Sequence, residues 1–156
     1  MNLTIGEIAT ILGIFIGMVS AITVVLEFKT QGTQKRAEFF SRKLDELWKN
    51  DLYKHIWLCL DTHNEEEIRH IPREDKLSYL VIFDEIALMM NSGLIKKDVA
   101  YYMFGYFAIT CWENDAFWED PGIDRRRVYW SVLKNFVADM KVVDQDFKYN
   151  KKRMKF

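Results

Sequence analysis

The 156 residues predict an all-α protein: a single N-terminal transmembrane helix followed by a helical bundle of four to five helices. Three observations carry this. Residues Ile8 to Leu26 run for 19 positions without a charge. Downstream, apolar residues recur at three- and four-residue spacing, and no stretch alternates as a strand would. Helix-breaking residues are sparse, with seven Gly and two Pro in the chain. The predicted organisation is an anchor over 1–29, a cytoplasmic bundle over 30–147 and a basic C-terminal tail over 148–156.

The anchor comes first. Its uncharged run, IATILGIFIGMVSAITVVL, would cross roughly 28 Å as a helix, close to a hydrocarbon core of about 30 Å. A buried helix of a soluble bundle normally keeps a polar stripe, and this run offers only Thr10, Ser20 and Thr23. A cleaved signal peptide needs a basic leader and a small-x-small site. Met1 to Gly6 carries no Lys or Arg, and Glu7 is acidic. Lys29, Lys35, Arg36, Arg42 and Lys43 follow the run, so the positive-inside rule predicts an N-terminus outside and a cytoplasmic C-terminal domain. The expected location is a bacterial inner membrane, spanned once, with the basic residues against its anionic inner leaflet. Two cysteines, Cys59 and Cys111, suit a reducing compartment and exclude a disulfide scaffold or a four-thiolate zinc site. Within the run Ala9, Gly13, Gly17 and Ala21 recur every four residues. Small residues at that spacing let a second helix approach closely, which predicts association through this face.

The bundle follows without a flexible linker. A helix over about 33–49 lines Ala37, Phe40, Leu44 and Leu47 along one face. A second covers about 51–62. His63 to Ile71, with Glu65, Glu66 and Glu67, reads as a polar connector. Pro72 fits the edge of a helix over about 73–92, which ends at Ser92-Gly93. A helix over about 96–114 contains the uncharged run Val99 to Trp112, too short to span a bilayer and predicted to be the central buried element. Residues 115–123, with Pro121-Gly122, form a loop. A last helix is expected over about 124–147, with Asp124 as its N-cap.

Charge is unevenly spread. Residues 29–43 hold five basic residues and one acid, and residues 148–156 hold five basic residues and none. The middle, 44–147, holds 12 basic and 20 acidic residues. The tail, with Phe147, Tyr149, Met154 and Phe156 interleaved, fits contact with an anionic membrane; nucleic acid is the less favoured partner.

Candidate chemistry is thin. His63 and His70 lack the spacing of a metal-binding helix pair. His55 and Cys59 share a helix, but Cys59 lies between Leu58 and Leu60 and reads as a core thiol. Asp84 and Glu85 interrupt an apolar run and are candidates for a buried acid pair, whose expected partner is an Arg of the last helix. Arg125, Arg126 and Arg127 in that helix's first turn would oppose its dipole, so internal acids such as Glu85, Glu119 and Asp120, an anion or a partner's acidic surface should offset them. No phosphate loop, nucleophile elbow or kinase motif occurs. The expectation is a non-enzyme with no cofactor and no metal.

The stretch FDEIALMMNSGLIKKDV from Phe83 to Val99, the run Tyr102 to Tyr106, Trp112 and the Arg-led segment from Arg125 resemble a family of small uncharacterised bacterial and phage proteins. These carry one N-terminal membrane helix and a cytoplasmic helical domain. The family theme is a single acid before the I/V-A pair and a simpler turn; here Asp84 and Glu85 share the acidic position and Lys96-Lys97-Asp98 replaces the turn. The resemblance implies the architecture and transfers no catalytic residue. It is compatible with a membrane-anchored helical interaction module that self-associates or binds a partner protein. The alternative is a bilayer-perturbing membrane effector of phage defence or superinfection exclusion.

Overall fold

A computed structural model describes residues 31–150, together with Thr23 and Met154. The chain forms two compact units, Met1–Glu38 and Phe39–Phe156. In the first, residues 31–38 are helical, and Arg36 donates to the Thr33 hydroxyl at 3.0 Å. The predicted span lies outside the described residues. Among the described residues there is no strand, and no helix is long and apolar enough to cross a membrane.

The second unit is all-helical, as its periodicity predicts. Helix α1 covers residues 31–49, and its part within this unit buries Phe40 and Leu47. Helix α2, Asp51–Asp61, starts because the Asn50 side chain accepts hydrogen bonds from the Leu52 and Tyr53 amides, as an N-cap does. It ends in a Schellman turn: the His63 amide bonds the Leu60 carbonyl, the Asn64 amide bonds the Cys59 carbonyl, and His63 sits at φ 52°. Helix α4, Arg73–Asn91, ends in the same way at Gly93, with φ 69° and the Leu94 amide on the Met89 carbonyl. That terminus is the one expected from Ser92-Gly93.

Two expected connectors are helical instead. Helix α3, Glu65–His70, occupies the acidic stretch. Asn64 caps it by accepting from the Glu67 amide, three glutamates sit in its first turn and Arg69 and His70 in its last. These charges complement the helix dipole, and Ile68, wholly buried, anchors the helix to the core. Helix α7, Asp115–Trp118, lies in the expected 115–123 loop, capped by Asn114 on the Phe117 amide at 3.0 Å. The described chain therefore holds more helices than the four or five expected.

The predicted 96–114 helix is three segments: α5, Lys97–Ala100; a π turn, Tyr101–Gly105; and α6, Tyr106–Glu113. It is buried over much of its surface, as its uncharged run implies. At the π turn a methyl group on Gly105 would lie 2.6 Å from the Tyr101 ring, so only glycine admits that ring. Tyr101 in turn packs at a tilt against Phe147, with ring centres 4.8 Å apart, and donates to Asp144.

The last helix begins later than expected. Residues 124–127 form a turn, Val128–Trp130 a 3-10 turn, and α8 spans Ser131–Asp146. Asp124 does not cap a helix; its carboxylate accepts from the Arg126 amide at 2.9 Å and closes a local turn. The three arginines thus lie outside the helix, and the expected conflict with its dipole does not arise.

Helix α8 packs against α4, α5, the π turn and α6, while α2 packs against α3, α4 and α6. Aromatic rings fill the core. Tyr79 meets Tyr53, Phe83 and Phe117, and Trp118 meets Trp112, Phe117 and Trp130. The Trp118 indole N–H donates to the Cys111 carbonyl at 3.1 Å, which satisfies its buried donor.

Candidate functional site

The small-residue face of Ala9, Gly13, Gly17 and Ala21, and the cation Lys29, lie outside the described residues. Of the other cations expected at the membrane, Lys35 and Arg36 belong to the first unit, and Arg42 is exposed in the second. Lys43 has an internal role: its ammonium contacts Glu85 at 2.7 Å and Glu46 at 3.2 Å. Burial opposes its charge, but the hydrogen bonds to Glu85 and Glu46 outweigh it and raise its pKa.

Asp84 and Glu85 do not form one buried site. Glu85 is partly exposed and pairs with Lys43 of α1, not with an arginine from the C-terminal third. Consecutive helix residues point about 100° apart, so the two carboxylates face different neighbours. Asp84 is half-buried beside α8, and its Oδ1 lacks a hydrogen-bond partner. Burial raises its pKa, and the Leu133 backbone N–H acts in the opposite direction.

The arginines separate into distinct roles. Arg125 contacts Asp115 at 2.7 Å and donates to the Trp112 carbonyl at 3.2 Å, tying its turn to α6 and α7. Arg126 bonds Asp124 at 3.0 Å while its side chain is 87% exposed. The Arg126 hydrogen bonds hold the Asp124 carboxyl below its ordinary range. Arg127 is exposed. Glu119, one of the internal acids expected to offset the cluster, lines the same cleft of about 280 Å³ as Arg125 and Arg126 but pairs with Arg69 at 2.6 Å.

A second cleft, about 350 Å³, lies between the end of α2 and α6. Asp61, Glu65 and Glu113 line it with Tyr106, whose hydroxyl donates to Asp61 at 3.1 Å. Glu65 is bridged by Arg69, and Glu113 by Lys141. No group of three His, Cys, Asp or Glu side chains is placed to hold a metal among the described residues. Near this cleft the Cys59 sulfur is 3.8 Å from His55 Nε2. Burial and the charge of Glu67 push its thiol pKa up, opposite to what a nucleophile needs. Cys111, buried beside Trp118, is pushed up further by desolvation.

The feature missed by the sequence reading is an aromatic face. Trp48 of α1 packs edge-on to Phe107 at 5.6 Å, Trp57 meets Phe107 at 4.5 Å, and Tyr106 meets Trp57 at 5.3 Å. Trp57 and Phe107 are buried, whereas Trp48 is 49% and Tyr106 59% exposed, and Tyr102, one turn before Tyr106, is 67% exposed. Large aromatic side chains half in solvent and backed by a rigid core are the side-chain type that dominates protein interfaces. The signal lay in the four-residue spacing of Tyr102 and Tyr106, which the uncharged run concealed.

No protein-family model, no curated protein and no solved structure matches this chain.

Proposed function

We propose that the chain is a membrane-anchored helical interaction module, which self-associates or binds a partner protein and carries out no chemistry of its own. Residues 1–29 are the anchor, whose uncharged run 8–26 crosses a bacterial inner membrane once, with residues 30–147 in the cytoplasm. The resemblance to small membrane-anchored bacterial and phage proteins is consistent with that organisation. The exposed aromatic face of Trp48, Tyr102 and Tyr106 is the observation that carries the reading, because it is an ordered apolar surface that the fold leaves in water. The four-residue repeat of Ala9, Gly13, Gly17 and Ala21 supports self-association at the anchor.

The test is crosslinking of the full chain in native membranes. Wild type should give a discrete crosslinked species. Tyr102→Asp, which removes apolar surface at an exposed position, should deplete a species held by the domain. Gly13→Ile with Gly17→Ile should deplete one held by the span. Crosslinking unchanged by either variant would overturn the reading.

A further inference from the structure

We infer that the turn from Arg126 to Tyr129 is a docking element for an anionic lipid surface. The inference rests on the reading of residues 8–26 as a membrane anchor and assigns a second, reversible bilayer contact to the domain.

The turn is unusual in what it leaves exposed. Val128 is 86% and Tyr129 70% exposed, directly after the exposed cations Arg126 and Arg127. The segment is held in shape from both sides. On one side the Asp124 carboxylate accepts the Arg126 amide, and the Asp124 carbonyl accepts the Arg127 amide. On the other the Trp130 amide bonds the Arg127 carbonyl, and Trp130 is buried edge-on against Trp118 at 5.7 Å. Tyr129 leans on Trp130 at 4.8 Å. The Val128 side chain stays in water and adds little to the core, so its apolar surface is left for a contact outside the fold.

The surface that matches this turn is anionic and apolar within a few ångströms of depth. Guanidinium groups bind phosphate with directed hydrogen bonds. Tyrosine favours the headgroup level, and valine the acyl boundary below it. Arg125 is committed to Asp115 and to the Trp112 carbonyl, so it is not part of the element. Asp124 offsets part of the charge of Arg126, which keeps the attraction weak. Weak attraction suffices here, because a chain anchored in the bilayer presents the turn at high local concentration.

The experiment uses the full chain in lipid nanodiscs of phosphatidylcholine alone or of phosphatidylcholine with phosphatidylglycerol. Val128→Cys carries an environment-sensitive fluorophore; Cys59 and Cys111 are buried and do not compete for it. Expected is a blue shift and a rise in emission with phosphatidylglycerol, quenched by lipids carrying a spin label near the headgroup. Arg126→Gln with Arg127→Gln should reduce the docking equilibrium constant about fivefold for each cation lost. Tyr129→Ser should weaken it without changing the helical circular dichroism. Identical emission with and without phosphatidylglycerol, insensitive to the quencher, would overturn the proposal while leaving the anchor reading intact. A blue shift that requires an added acidic protein and ignores lipid charge would overturn it in favour of a protein partner. Free inorganic phosphate that competes away the lipid response, or reproduces it without lipid, would identify an anion pocket and overturn the bilayer assignment. Release of the chain from membranes by alkaline carbonate is a separate readout; it would remove the anchor and this proposal with it.

Discussion

Lys76 is a charged side chain carried almost wholly inside the fold. It is 1% exposed, on α4, with its ammonium 5.7 Å from the centre of the Phe117 ring. Desolvation lowers its pKa, against the weaker pull of Asp120 and Glu119. A cation–π contact does not replace a hydrated ammonium. Lys76→Met should therefore stabilise the domain by about 1–3 kcal/mol, read by chemical denaturation. The pH dependence has a definite sign. With the folded pKa below the ordinary 10.5, the unfolded chain binds more protons between the two values. Wild-type stability from this group then rises as pH climbs through that window. The advantage of Lys76→Met should be full below the folded pKa and shrink toward 10.5; an advantage independent of pH would show that packing alone is responsible. His63, at φ 52°, is a second misfit residue, since a left-handed helix terminus is occupied at least strain by glycine. His63→Gly should raise Tm, whereas His63→Val should lower it.

The caps and the π turn decide which stretches become helices. Asn64→Ala should cost about 1 kcal/mol and loosen α3 first, seen as faster amide exchange at Ile68. Gly105→Ala is the more severe change. Tyr101 is fixed by Asp144 and Phe147, so the added methyl must displace the ring or the backbone, at about 1–3 kcal/mol. A Gly105→Ala protein of unchanged stability would show that Tyr101 rotates freely. Helices α2 and α4 are legible in the sequence as apolar stretches, and α4 also by its Ser92-Gly93 end. Helices α3 and α7 are not. Their six and four residues are too few for a period, and their only signals were Asn64 and Asn114, each followed by acids that resembled a solvated connector. The start of α8 was misread because Asp124 has the chemistry of a cap and uses it to close a turn instead. At the candidate site, charge clusters were visible but their pairings were not. Lys43 with Glu85 and Arg69 with Glu119 depend on contacts between elements far apart in sequence.

At the scale of the whole chain, the near-neutral net charge is the sum of an acidic middle and two basic ends. For the proposed anchor, the basic residues from Lys29 to Lys43 that follow it predict which end faces the cytoplasm. Cysteine introduced at Asn2 should react with an impermeant maleimide in intact spheroplasts, and cysteine introduced at Thr30 only after permeabilisation. The reverse pattern would invert the topology, and labelling of neither in membranes or both in intact cells would contradict a single span. Domain stability should be nearly indifferent to salt. The ion pairs that join its elements, such as Lys97 with Asp139 and Arg69 with Glu119, are half exposed and each contributes little. A large fall in Tm at high ionic strength would assign these pairs a greater share of the stability.

The π turn has one more effect. In an α-helix, residues four apart overshoot a full rotation by about 40°, so a stripe built on that interval drifts around the axis. Ala100, Phe104 and Ala108, all buried, are spaced by that interval across the turn. The wider winding between Tyr101 and Gly105 cancels part of the drift and steers the stripe back into line. A single helix running the seventeen residues from Lys97 to Glu113 would otherwise roll its apolar side away from its neighbour. Here α5, the π turn and α6 all keep contact with α8.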